Sequence, residues 1–200
     1  MKIPIILFTL LVFCLIIQNG SIKVQESKQM VIVYLSRTNN TKAIAEIIAQ
    51  ETGGRLVALE LQHPYPENYD AIVEQVAQEN RTGFLPPLRT RIAIENYDTV
   101  FIGFPTWGMQ LPPPIKSFLH QYDLKGKVVV PFNTNAGYGV GSSFRTVKEL
   151  CPASTVLDGF STKGGIERDG VYLAIKGDRL KEVRREVQLW LDKIRIRVAD

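Results

Sequence analysis

The stretch Val31–Gln50, VIVYLSRTNNTKAIAEIIAQ, decides the fold. It opens on an unbroken apolar run rich in β-branched residues, the pattern of a strand buried on both faces. Six small or polar residues follow, Ser36 to Thr41, and then apolar residues return at helical spacing, with Ala43, Ile44, Ile47 and Ile48 on one face. Gly53 and Gly54 close that helix. A buried strand, a polar turn and an amphipathic helix make the opening half of a strand–helix–strand unit.

Outward from this unit the alternation repeats. RLVALEL reads as a second strand and ENYDAIVEQVAQEN as a second helix. TVFIGF is a third doubly buried strand, followed by PPPIKSFLHQY, where Pro113 or Pro114 suits a first helical turn. KVVVPF is a fourth strand, SSFRTVKEL a fourth helix, STVLDGF a short fifth strand, and a last helix runs from about Asp178 to Arg197. Strands alternating with helices predict a doubly wound α/β domain with a five-stranded parallel sheet and right-handed crossovers. In such sheets ligands bind beyond the carboxyl ends of the strands. Three polar loops leave strand ends here: Ser36–Thr41, Pro105–Leu111 and Asn133–Ser142.

Composition bounds the rest. The chain has 200 residues, 45% hydrophobic and 22% charged, with a formal net charge of +4, which suits one compact domain and gives no concentrated basic block for nucleic acid. The segment Ile3–Ile17 is almost wholly apolar, follows Lys2, and is shorter than the roughly 20 residues a spanning helix needs. Residues 1–27 are therefore expected to be a signal peptide or an N-terminal membrane anchor, and 28–200 the folded domain. Without that segment Cys151 is the lone cysteine, so the domain is expected to hold no internal disulfide. His63 and His120 lack metal-ligand spacing.

A loop of Ser, Thr and Asn feeding a helix amino terminus can wrap a phosphate in hydroxyl and backbone donors, because the first N–H groups of a helix are unpaired and carry partial positive charge. The same residue types also dominate simple helix caps. The crowding of Ser36, Thr38, Asn40 and Thr41 directly after a buried strand favours the phosphate. A Walker-type loop is excluded, since its Gly-Lys-Ser/Thr ending is absent, and the dinucleotide-binding glycine fingerprint is absent too.

At these residues the chain resembles the flavodoxin family. Ser36-Arg37-Thr38-Asn39-Asn40-Thr41 is similar to that family's phosphate loop, with Asn39 where the family usually has glycine, a position asparagine tolerates at positive φ. Pro105-Thr106-Trp107-Gly108 is similar to its segment in which a tryptophan covers the flavin ring. Thr134-Asn135-Ala136-Gly137-Tyr138 falls in a glycine-rich third loop that would approach the pyrimidine edge, with Tyr138 either on the other ring face or an ordinary surface residue. From about Val31 to Gly159 the likeness is to a bacterial branch described as flavodoxins or NAD(P)H-dependent oxidoreductases. The resemblance implies a strand order of 2-1-3-4-5 and FMN as cofactor. Those fifteen residues would hold it, Arg37 either lending charge to the phosphate or standing as an ordinary exposed arginine.

Met109 and Gln110 follow Gly108 where low-potential flavodoxins usually carry acids, and the chain is basic. The fully reduced, anionic flavin is therefore expected to form more readily than in those proteins. No residue stands out as acid, base or nucleophile. The expected function is electron carriage between partners, the partner being acidic. The alternatives are NAD(P)H-dependent reduction of a quinone or similar small acceptor, and a flavin-free binding module. Export to the periplasm, or anchoring on the outer side of the inner membrane, follows from the first segment, and any membrane attachment would run through it alone. The last helix carries many Arg and Lys beside a stripe of Leu180, Val183, Val187, Leu191 and Ile194, read as a solvated face on a helix packed against the sheet. Residues 161–177 read as a short hairpin near the flavin edge or a plain connector.

Overall fold

The computed structural model describes residues 29–196. The apolar segment Ile3–Ile17, and with it the expected export signal or anchor, lies outside the described residues, as do residues 197–200.

A parallel sheet forms the centre. β1 (Met30–Tyr34) lies between β2 (Arg55–Ala58) and β3 (Thr99–Pro105), and β4 (Val128–Asn135) runs beside β3. The fifth position is shared by two short strands: β5 (Thr155–Val156) pairs with Val128 and Val129, and β6 (Phe160–Lys163) pairs with Phe132–Asn135. The order is β2-β1-β3-β4-β5, with β6 completing the edge. The expected single fifth strand is thus two pieces around Leu157–Gly159. The expected fourth strand is also longer than its apolar run, reaching Asn135, because β6 supplies pairing partners beyond Phe132.

The buried runs alternate between the two faces, as a pleated strand must. Val31 and Val33 of β1 join the core cluster that includes Val100 and Phe104, while Ile32 and Tyr34 join the one containing Phe101 and Phe132. The second face is covered by α1 (Asn40–Thr52), through Ile44, Ile47 and Ile48, and by α5 (Gly177–Lys193), through Val183, Val187 and Leu191. Burying each such side chain stabilises by about 1.5–3 kcal/mol. The basic face of α5 is salt-bridged: Arg184 Nη1 meets Glu51 of α1 at 3.1 Å and Arg179 meets Glu186 at 2.8 Å. Gly103 of β3 is required by close packing, since a Cβ there would stand 2.1 Å from the Phe132 ring.

The other face is covered by α3 (Pro113–Gln121) and α4 (Ser143–Leu150), through Ile115, Phe118 and Val147. α2 (Tyr69–Thr82) sits beside α3, where Lys116 Nζ donates to Asn80 Oδ1 at 2.9 Å. Its buried Ile72 and Val76 belong to neither core cluster. Among the described residues no helix is long and apolar enough to cross a membrane.

Candidate flavin site at the strand ends

β1 ends one residue before the polar turn, and the turn is made by Asn39, whose φ of 62° is left-handed, so α1 can begin at Asn40. Asn39 makes no side-chain capping bond; Ser36 Oγ instead accepts the Lys42 N–H at 3.2 Å. Asn40 is buried and saturated. Its Nδ2 donates to Thr38 Oγ1 at 2.9 Å and to Tyr172 O at 2.6 Å, and its Oδ1 accepts from the N–H groups of Ala174 at 2.9 Å and Ile175 at 3.1 Å. The amide therefore straps the 172–175 segment to the start of α1. Thr41, also buried, shares a 2.8 Å hydrogen bond with Thr134 of β4.

Arg37 is held by the protein. Its Nε meets Glu167 Oε1 at 2.6 Å, Nη1 donates to Pro66 O at 2.9 Å, and Nη2 donates to Glu67 O. The charge that the sequence offers to a phosphate is directed in this structure at a carboxylate and two carbonyls.

The second loop is a tight turn. Trp107 and Gln110 exchange backbone hydrogen bonds at 3.3 and 3.0 Å, with Gly108 (φ 56°) and Met109 (φ 59°) between them. Thr106 N–H donates to Thr134 O at 2.9 Å and its hydroxyl to Gly139 O at 3.1 Å, which ties this loop to the third. The Trp107 indole is half-buried. Tyr65 meets it edge-on, with centroids 5.5 Å apart and planes at 81°. The Tyr65 hydroxyl donates to Glu79 Oε2 at 2.5 Å, and Gln75 Nε2 donates to Glu79 Oε1 at 2.9 Å. Burial, aided by that carboxylate, pushes the Tyr65 hydroxyl well above the ordinary phenol range. Glu79 and Gln75 of α2 thus help to hold Tyr65 against the indole.

In the third loop Asn135 Oδ1 accepts from the N–H groups of Gly137 at 2.8 Å and Gly139 at 3.2 Å, so it shapes the turn. Tyr138 is 69% exposed, beside Arg168.

Two cavities meet at Trp107. A polar one of about 130 Å³ gathers Thr38, Asn40 and Thr41 from the first loop, Pro105 and Thr106 from the second, and Thr134, Asn135 and Ala136 from the third. An apolar one of about 420 Å³ runs between α2 and the second loop, and Gly108 lines it. Arg37, Thr106 and Trp107 border both. Ser36, Asn39, Gly137 and Tyr138 line neither.

Sequence reasoning named no site residue on one wall of the polar cavity, formed by the segment it read as a short hairpin near the flavin edge or a plain connector. Gly164, Gly165 and Glu167 line it from a small hairpin after β6, closed by an antiparallel bridge between Ile166 and Val171. Gly165 is demanded there, since a Cβ would lie 2.0 Å from Tyr172 O. The hint was the Gly-Gly pair at 164–165; nothing local showed where it folds. Tyr69, at the start of α2, was missed too and lines both cavities.

The donor set fits a phosphorylated planar group. The Thr38 hydroxyl and the N–H groups of Asn40 and Thr41 at the start of α1 suit a phosphate, and an indole face at the cavity edge suits a flat ring. Among the described residues no three His, Cys, Asp or Glu side chains are clustered so as to hold a metal.

Residues 28–175 match the family model described as Flavodoxin. Among solved structures, an inferred flavoprotein from Bacteroides eggerthii is 26% identical with a TM-score of 0.69, the match covering 86% of this chain and 100% of that one. A flavoprotein from Lactobacillus acidophilus in complex with FMN shares the fold at 23% identity and a TM-score of 0.61, over 72% of this chain and 99% of that one. No curated protein matches the chain.

Proposed function

The chain belongs to the flavodoxin family, and on that premise we propose that it is an FMN-binding redox protein that carries electrons between partners. The observation that carries this reading is the convergence of three separate strand-end loops, the second of which carries Trp107, on one polar cavity. When bound, FMN supplies one- and two-electron chemistry.

The chain's own residues set the conditions for it. Thr38 and the first turn of α1 would hold the phosphate end, with Thr41 and Thr134 fixing the distance between the first and third loops. Trp107, braced by Tyr65, would offer the ring a face and keep water from it. Met109 and Gln110 put no acid beside the indole, so reduction to the anionic form is expected to be easier than in flavodoxins with acids there.

An absorption spectrum of the purified protein tests the cofactor: flavin bands support it, and a colourless protein that ignores added FMN returns the chain to a flavin-free binding module. Carriage predicts that neither NADH nor NADPH reduces the flavin quickly. Rapid reduction by either, with turnover on a quinone, would move the function to an NAD(P)H reductase. The net charge of +4 favours an acidic electron partner, whose binding should weaken as salt rises. We extend the proposal to location: the N-terminal segment directs the domain out of the cytoplasm. Fractionation that finds the intact chain soluble in the cytoplasm would refute this.

A further inference from the structure

The third loop lies under a charge that no protein group answers. Lys163 ends β6, in register with Asn135 of β4. Side chains alternate along β6: Phe160 and Thr162 are buried, and Thr162 bonds Arg179 and Glu186 of α5, so Ser161 and Lys163 project to the opposite face. There Ser161 Oγ donates to Asn133 Oδ1 at 3.2 Å and accepts from Asn135 Nδ2 at 3.1 Å. The Lys163 stem crosses Gly137, where a Cβ would lie 3.6 Å from its Cε and 3.9 Å from its Nζ. The ammonium therefore stands against the third loop, on the face of β6 turned away from α5.

Among the described residues this ammonium has no ion pair and no hydrogen-bond partner. The carboxylates of the hairpin that follows are committed elsewhere, Glu167 to Arg37 and Asp169 to Arg168. The cavity wall is close on both sides of Lys163, since its pairing partner Asn135 and the next residue, Gly164, both line the polar cavity. A cation so placed favours whichever state of a bound ligand carries more negative charge. The phosphate is charged in every redox state, but the flavin ring gains negative charge on reduction, and charge beside the ring tunes its potential.

We propose that Lys163 is a potential-setting residue: its ammonium, held against the third loop, favours the anionic, fully reduced flavin over the oxidised one. The inference rests on the flavin reading, and it adds a cation on one side of the site to the lack of acids at Met109 and Gln110 on the other.

Spectroelectrochemical titration of the FMN-loaded full chain, with Lys163→Met and Lys163→Arg beside it, tests this. Lys163→Met keeps the stem over Gly137 and removes the charge. It disfavours reduction to the anion about threefold to tenfold, equal to about 30–60 mV for a one-electron step, and the gap narrows in high salt. The pH at which the reduced flavin takes up a proton rises by about 0.5–1 unit, because the anion has lost a neighbouring cation. Lys163→Arg leaves both values in place, and the affinity of either variant for oxidised FMN changes by less than about threefold. The proposal is overturned if Lys163→Met shifts the equilibrium by less than about threefold, or if Lys163→Arg shifts it as far. It is also overturned if Lys163→Met weakens oxidised FMN about threefold or more while riboflavin holds, which would give the ammonium to the phosphate. A chain that takes up no FMN sinks the cofactor reading and this inference with it, whereas bound FMN with an unmoved equilibrium sinks the role of Lys163 alone.

Discussion

The two cavities that meet at Trp107 are built in opposite ways. The polar one is lined by loops whose hydrogen bonds lie mostly within the protein: Asn40 is saturated, Thr41 and Thr134 satisfy each other, and Asn135 shapes its own turn. The apolar one is lined by a helix face that the core leaves uncovered. The first is rigid because unpaired polar groups at its floor would be expensive. The second stays open because nothing in the described chain fills it.

Changes at the polar floor should therefore cost the most. Asn40→Ala strands the Tyr172 carbonyl and the Ala174 and Ile175 N–H groups, and is expected to cost about 3 kcal/mol of stability, read from urea unfolding. A loss below about 0.5 kcal/mol would mean that the strap to the 172–175 segment is idle. Arg37→Gln comes next at about 2 kcal/mol, since it breaks the pair with Glu167 and the bonds to Pro66 and Glu67. FMN affinity should change by less than about threefold, because the guanidinium is already committed; a drop of tenfold or more would show that it turns to the phosphate.

At the shared wall, Trp107→Ala should weaken FMN binding about tenfold, or about 1.4 kcal/mol, with little loss of stability because the indole is only half-buried. Unchanged affinity would separate the indole from the ring. Tyr65→Phe is the mildest, at about 1 kcal/mol, because it keeps the edge-on contact and removes only the bond to Glu79. The raised Tyr65 hydroxyl contributes stability that is present below the free phenol value of 10.0 and lost as pH climbs above it. Tyr65→Phe should flatten that alkaline decline, as thermal unfolding above pH 10 would reveal.

The contrast between the cavities also marks what the sequence could tell. The loops at Ser36–Thr41 and Pro105–Gly108 were legible because each is contiguous and follows an unmistakable buried strand. The strand order came from the family resemblance together with the alternation of strands and helices. What stayed hidden depends on contacts between distant residues. Asn40 reads as a ligand or a cap, yet its partners lie more than 130 residues away. The hairpin that carries Glu167 has no periodic pattern, and its place in the site is fixed by Arg37 and Asn40 rather than by its own residues. α2 was found as a helix, but Val73 and Ala77 were given no role. Only the tertiary arrangement shows that their face borders a cavity. Glu79 drew no attention in the sequence, yet it is buried, with Tyr65 and Gln75 satisfying both its oxygens.

The central claim is that the polar cavity holds the phosphate of FMN beside Trp107. Paired titrations of the full chain with FMN and with riboflavin, followed by flavin fluorescence, test it most directly. The account predicts one FMN per chain and riboflavin at least about 100-fold weaker, the difference being the phosphate's share of the hydrogen bonds at the start of α1. Equal affinity for the two, or none for FMN, would contradict it.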